Sequence, residues 1–190
     1  MSVRLKAPLI LASNSPRRKQ LLKQLKIPFK VLPSHVSEES TIRSASRLVQ
    51  ALALRKAQAT AALVKKGIVL GADTVVVLGS RILGKPIDAQ DAYRMLYRLS
   101  GSTHRVLTGV AVVDVETGKK QVSYAVSRVK MKKLPLDELV RLSRLHLDKA
   151  GSYAIQDKND PIARVISGSY DNVVGLPIDL VKSLLKPFYS

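Results

Sequence analysis

A short apolar run, Pro8-Leu9-Ile10-Leu11-Ala12, stops at Ser13-Asn14-Ser15-Pro16-Arg17-Arg18. A helical pattern follows, with Leu21, Leu22 and Leu25 on one face and Lys19, Lys23 and Lys26 on the other. The apolar run has the length of one buried strand. Ser15 suits a helix N-cap and Pro16 the first turn of that helix. The opening of the chain is therefore strand, polar turn, helix. Free backbone N–H groups and the helix dipole favour an anion at such a turn. Arg17 and Arg18 strengthen that reading, because guanidinium groups match phosphate oxygens in a bidentate way. An ordinary capped helix with a solvated basic face uses the same residues, and these six alone do not separate the two readings.

The rest of the chain continues the alternation. Residues 27–32 read as a second strand, 33–46 as a polar loop and the Ala- and Leu-rich 48–64 as helix. Residues 67–72 and 75–78 read as buried strand, interrupted by Asp73-Thr74. Gly79-Ser80 signals a hairpin turn with 81–83 returning. Residues 88–99 have helical spacing, with Asp88 as N-cap and Gly101 as stop. Two long strands, 103–115 and 121–130, are joined at Glu116-Thr117-Gly118-Lys119. A short helix over 135–147, a strand over 162–166 and a closing helix over 178–185 complete the pattern. Both βαβ units and hairpins occur, so the expected fold is α/β with a central mixed β-sheet flanked by helices.

The 190 residues fit one medium domain over 1–190, which admits a bilobed form. No 18-residue apolar run is present, so no membrane span is expected. The first residues lead into the first strand without the h-region and cleavage site of a signal peptide. Cysteine is absent, which excludes disulfides and thiol catalysis and is compatible with a reducing cytoplasm. Lys+Arg number 32 against 14 Asp+Glu, a net charge of +18 that attracts nucleotides and other polyanions. A dedicated nucleic-acid binder is nevertheless not expected. The cations are spread along the chain, and six Tyr, two Phe and no Trp supply a poor stacking platform.

Four stretches carry candidate chemistry. Asp73 lies within Val69-Leu70-Gly71-Ala72-Asp73-Thr74-Val75-Val76-Val77. A carboxylate in such a strand needs a partner, a metal or a raised pKa; a strand-end carboxylate bonded to backbone N–H groups is the plainer reading. Lys85, in Gly84-Lys85-Pro86, returns towards Asp73 if the hairpin folds back, and is otherwise a surface lysine at a turn. Glu38, of Glu38-Glu39, pairs with Asp73 as an oxygen donor for a hard cation, or is one of two solvated acids. Gly151-Ser152-Tyr153-Ala154-Ile155-Gln156 and the stretch 168–177 combine Gly, small polar residues and Tyr. That composition serves a base or sugar pocket and serves turns equally well. His35, His104 and His146 lack metal-ligand spacing and read as structural or surface residues. Walker A, G-x-G-x-x-G and Ser/His/Asp signatures are absent.

These pieces in this order resemble the Maf family of nucleoside triphosphate pyrophosphatases. The match rests on Leu-Ala-Ser-Asn-Ser-Pro-Arg-Arg at 11–18, Arg55-Lys56-Ala57, Gly71-Ala72-Asp73-Thr74-Val75-Val76, Gly84-Lys85-Pro86 and the 168–177 stretch. Leu99-Ser100-Gly101-Ser102-Thr103-His104 and Asp148-Lys149-Ala150-Gly151 also fit. The resemblance runs from about residue 8 to 180. It implies hydrolysis of a nucleoside triphosphate to monophosphate and pyrophosphate, aided by a divalent cation such as Mg²⁺ or Mn²⁺. It implies an α/β fold with two lobes around a cleft, similar to that of the inosine triphosphate pyrophosphatases. Asp73 matches the family's acid/base aspartate and Glu38 its metal-associated glutamate, so the pair Glu38 and Asp73 is the implied metal site. Ser13, Arg17, Arg18, Lys56 and Lys85 match polar and basic residues around the phosphates.

One branch of the family resembles dTTP/UTP pyrophosphatases and carries Arg, Thr and Gln at the positions of Arg17, Thr74 and Gln156. A branch acting on 7-methyl-GTP carries Trp, Gln and Glu there. This chain matches the first branch at all three positions. A Gln side chain, with one acceptor and two donors, suits the imide edge of uracil or thymine. Two departures from the family pattern stand out: Asp157 follows Gln156 where a Gly-rich turn is usual, and Ser37 precedes Glu38 where an acid is common. The expected function is thus dTTP/UTP hydrolysis in the cytoplasm. The alternatives are the same reaction on 7-methyl-GTP or modified nucleotides, or a non-catalytic protein of nucleic acid or cell division. The resemblance also allows a homodimer.

Overall fold

The computed structural model describes residues 4–155 and 162–190. Leu9–Leu11 forms β1, three fully buried residues. It pairs in parallel with β2, Phe29–Val31, and with Ile68–Leu70 of β3, Ile68–Leu78. Gly79 turns β3 into β4, Arg81–Leu83, with Val76 opposite Leu83. Two long strands follow, β5, Thr103–Asp114, and β6, Lys120–Met131. Last comes β7, Ala163–Ser167, antiparallel to β6. The seven strands make one mixed sheet in the order β2-β1-β3-β5-β6-β7, with β4 on β3. The helices are α1, Pro16–Leu22; α2, Ala45–Ala61; α3, Ala89–Leu99; α4, Leu136–Ser143; α5, Tyr170–Val174; and α6, Ile178–Leu185. The α/β fold with a mixed sheet and flanking helices is the one the sequence pattern predicts.

The chain groups into two compact units, and β3, β5 and β6 contribute residues to both. The first comprises Met1–Asp73, Thr108–Ala125 and Gly175–Ser190. Large side chains such as Leu11, Leu22, Ile68, Leu176 and Phe188 are fully buried in it, but the cluster that packs α2 on the sheet is small-chained: Ile10, Ala12, Ala53, Ala57, Val69, Ala111 and Val113. Small residues let α2 lie directly on the sheet. Gly71 and Gly109 take this furthest: a Cβ on Gly71 would run into the Ala53 carbonyl oxygen and the Ala57 nitrogen, and one on Gly109 into the Val49 carbonyl. The second unit comprises Thr74–Leu107 and Val126–Val174. Its core cluster includes Met95, Leu96, Leu99, Met131, Leu139, Leu142 and Tyr153.

Several elements differ from the sequence reading. Asp73-Thr74 does not interrupt β3, which runs unbroken through both. An aspartate in a strand is tolerated where its charge has a partner, and Asp73 has one. The second strand is only Phe29–Val31 and the fourth helix only Leu136–Ser143, each shorter than the apolar pattern suggests. Helix α1 ends after seven residues in a 3-10 turn closed by Lys26 at a left-handed φ of 54°. So short a helix has a weak dipole, and the case for an anion passes to its side chains. Within 168–177, residues 170–174 form α5 where turn chemistry was the plainer expectation.

Candidate functional site

The polar turn after β1 is built as its residues suggest. The Ser15 hydroxyl caps α1 by accepting from the Arg18 N–H at 3.4 Å, and Pro16 begins the helix. Ser13, buried at the start of the turn, accepts from the Ser15 N–H at 3.2 Å and from the Arg18 guanidinium at 3.4 Å. Arg18 Nε also donates to the Gly175 carbonyl at 2.8 Å, so a residue 157 positions further along fixes its fork. Burial lowers the Arg18 pKa. The negative charges of Asp73 and Glu38 oppose that shift, and neighbouring Arg17 adds to it. The guanidinium stays charged throughout and lies within the field of both carboxylates.

Period-two alternation puts Val69, Gly71 and Asp73 on the same face of β3, the face that packs on α2. Because Gly71 has no side chain, α2 approaches closely enough for Lys56 to reach two residues further along the strand. Lys56 Nζ donates to Asp73 Oδ1 at 2.6 Å and to Glu38 Oε1 at 2.8 Å. Lys56 and Asp73 are buried, whereas the Glu38 side chain is 43% exposed. The acidic loop is held from the same helix. Arg55 Nη1 donates to the carbonyls of Ser37 at 2.8 Å and Glu39 at 3.0 Å. Ser37, where an acid was expected from the resemblance, accepts from the Glu39 N–H at 3.1 Å and so shapes the loop.

One unit therefore brings together Ser13, Arg18, Glu38, Lys56 and Asp73, with Arg17 beside Arg18. Two carboxylates converging on one point are the donor chemistry of a hard cation, which takes one or two carboxylates plus water and phosphate oxygens. Glu38 and Asp73 fit that role. No cluster of three or more His, Cys, Asp or Glu suited to a metal occurs among the described residues, so the remaining donors would come from water and phosphate. Arg55 was not singled out as a site residue. It belongs to the Arg55-Lys56-Ala57 motif, but the motif gives no sign of the carbonyls it grips, 18 and 16 residues earlier.

Thr74 and Lys85 belong to the second unit. Lys85 is exposed, two residues after β4. Next to it, the Gly84 carbonyl accepts from the Gly151 N–H at 3.0 Å, joining two of the motifs noted above. Gly151 has φ 71°, and a Cβ there would press on Val76 at 3.0 Å. His104 is structural, as expected: it is buried, its Nε2 bonded to the Tyr153 hydroxyl at 2.7 Å. In the 168–177 stretch, the buried Asn172 donates to the Val106 carbonyl and to Ser127 Oγ. It is a bracket between α5 and the sheet. Gln156 and Asp157 lie outside the described residues.

Residues 8–188 match the family model described as Maf-like protein. This chain belongs to the Maf family. Its Maf relatives include proteins named "dTTP/UTP pyrophosphatase". That of Elusimicrobium minutum is 42% identical over 95% of this chain and 98% of its own length. Those of Desulforamulus reducens and Bacillus cytotoxicus are 45% and 47% identical, each over 95% of this chain and 96% and 95% of their own. Among solved structures, the Staphylococcus aureus Ham1 protein matches this Maf chain with a TM-score of 0.55 at 14% identity, over 95% of this chain and 98% of that one. That likeness is one of fold.

Proposed function

We propose that this chain hydrolyses nucleoside triphosphates, dTTP and UTP foremost, to the monophosphate and pyrophosphate. The observation that carries this reading is the convergence of Lys56, Asp73 and Glu38 beside Arg18. Cations for a polyphosphate stand there next to carboxylates for water and metal, in a chain with dTTP/UTP pyrophosphatases among its relatives.

Three phosphates bring a charge of roughly −4, which preorganised cations offset best where they need not reorganise. Arg18, fixed by Ser13 and Gly175, is the phosphate clamp. Arg17 and Lys85 add positive charge, and Ser13 lines the turn. Asp73 orients the attacking water and takes its proton as the water oxygen bonds to phosphorus. The bond between the α and β phosphates then breaks, and pyrophosphate leaves with the bonding electrons. Glu38 and Asp73 would hold a divalent cation, Mg²⁺ or Mn²⁺, which would supply polarisation of the phosphoryl group. Arg17, Thr74 and Gln156 select the pyrimidine base in this reading. No helix among the described residues is long and apolar enough to cross a membrane, and we place the reaction in the cytoplasm, with free nucleotides as the partners.

Pyrophosphate release from UTP with Mg²⁺ tests the assignment of Asp73. Asp73→Asn is expected to lose nearly all turnover while keeping its circular dichroism spectrum, and unchanged turnover would remove Asp73 from the mechanism. A panel of nucleotides tests the base. A strong preference for 7-methyl-GTP overturns the pyrimidine assignment and leaves the reaction type standing.

A further inference from the structure

We propose that Lys56 is a resident counter-cation for the carboxylate pair. Its ammonium engages the carboxylates that would otherwise hold a divalent ion, and Lys56 releases them only when an arriving triphosphate draws it away. The inference rests on reading Glu38 and Asp73 as the metal-associated carboxylates.

The geometry carries it. One nitrogen contacts an oxygen of each carboxylate, at 2.6 and 2.8 Å. A divalent ion of the Mg²⁺ or Ca²⁺ type needs its oxygens at about 2.0–2.6 Å. An ion bound at those oxygens would stand beside the ammonium, and the two positive charges would repel each other. The local charge balance adds to this conflict. Two carboxylates supply two negative charges, Lys56 supplies one positive charge, and the Arg18 guanidinium lies within the field of both acids. Little negative charge is left to attract a dication. Lys56 and Asp73 are buried, so their attraction is stronger than at a surface. Lys56 leaves only for other anionic acceptors, because a buried charge without a partner is costly. Phosphate oxygens are such acceptors, and the four-carbon stem of lysine can swing between them and the acids. Cation and nucleotide binding are then coupled through one side chain, and the coupling is reciprocal.

The test is Mn²⁺ binding followed by electron paramagnetic resonance of the free ion, which requires no turnover. Nucleotide-free wild type is expected to bind Mn²⁺ weakly. Lys56→Gln is expected to bind it at least about tenfold more tightly, since the competing charge is gone. Lys56→Arg, which keeps the charge, stays weak. Adding Asp73→Asn to Lys56→Gln abolishes the gain. In wild type, a non-hydrolysable α,β-imido analogue of UTP raises Mn²⁺ affinity, and Mn²⁺ raises affinity for the analogue by the same factor. Lys56→Met serves as the uncharged variant if Lys56→Gln does not fold. Folded Lys56→Gln or Lys56→Met with wild-type Mn²⁺ affinity overturns the proposal, as does a wild type that binds Mn²⁺ equally with and without the analogue. A protein that hydrolyses UTP but shows no gain on neutralising Lys56 defeats this inference alone. One that shows the gain but hydrolyses no triphosphate defeats the proposed function alone.

Discussion

Arg55 and Lys56, neighbours on α2, hold the same acidic loop by different groups. Arg55 takes the carbonyls of Ser37 and Glu39, and Lys56 takes the carboxylate of Glu38 between them. The loop is thereby registered against the helix that also reaches Asp73. Two consecutive side chains of a helix point about 100° apart, so this grip needs the loop to pass over both.

Arg55→Ala is expected to loosen the loop without unfolding the protein. Arg55 is exposed, and surface substitutions away from buried features change stability by within about 0.5 kcal/mol. Hydrogen bonds made by a charged group are worth about 1.5–3 kcal/mol, so kcat/KM should fall on the order of tenfold as Glu38 loses its position. Steady-state kinetics beside a melting curve checks this. A drop in melting temperature that matches the loss of activity would assign Arg55 to the fold instead. Glu38→Gln should reproduce the kinetic defect, and combining the two should cost less than the sum of the single effects.

Gly71→Ala tests the seat of α2. The new methyl meets helix backbone, which cannot swing aside as a flexible side chain can. Overpacking of this kind costs about 1–3 kcal/mol, and each kcal/mol lowers the melting temperature of a chain this size by about 2–4 °C. Activity should fall further than stability explains, because the same displacement carries Lys56 away from Asp73. A Gly71→Ala protein with wild-type melting and turnover would show that the close approach is unimportant.

His104 gives the fold an acid sensitivity of known sign. Burial lowers its pKa from 6.5 to about 4. Its Nε2 is bonded to Tyr153, and its Nδ1 is buried without a hydrogen-bond partner. The unfolded chain therefore binds a proton at this residue between pH 6.5 and about 4, where the folded chain does not. The stability that neutral His104 permits is complete above pH 6.5 and is lost as pH falls towards 4. The loss amounts to roughly 3 kcal/mol at its limit. Urea denaturation at pH 7.5, 6 and 5 measures it. The difference between wild type and His104→Gln should narrow by that order on acidification, while other titrating groups cancel in the subtraction. A difference constant with pH would mean that water or a proton already reaches the ring.

Periodic elements were legible in the sequence. Helix α6 spans 178–185 as read, and Asp88 caps α3 by accepting from the Asp91 N–H at 2.7 Å. The β5–β6 connection falls at Glu116-Thr117-Gly118-Lys119, with Gly118 at φ 70°. Each of these is a local pattern. What could not be read depends on residues distant along the chain. Asp73 looks like a break in a strand until a lysine 17 positions earlier neutralises it. Gly71 looks like a strand weakness until a helix backbone occupies the space its side chain would fill. The Arg55-Lys56-Ala57 motif does not tell what Arg55 holds, since backbone carbonyls leave no signature in sequence. In the 168–177 stretch, the turn-like composition hides both a short helix and a division of labour: Asn172 braces the sheet of the second unit, and Gly175 orients Arg18 in the first.

The bond from Arg18 to the Gly175 carbonyl spans 157 residues. A chain emerging from the ribosome makes the arginine 157 residues before its anchor. Domains tend to fold as they emerge, yet the unit that carries this cluster takes in residues from 175 onward. The orientation of Arg18 is thus completed only after Gly175 is made, and a polypeptide cut short before Gly175 would have the Lys56–Asp73 pair but no anchor for the Arg18 fork.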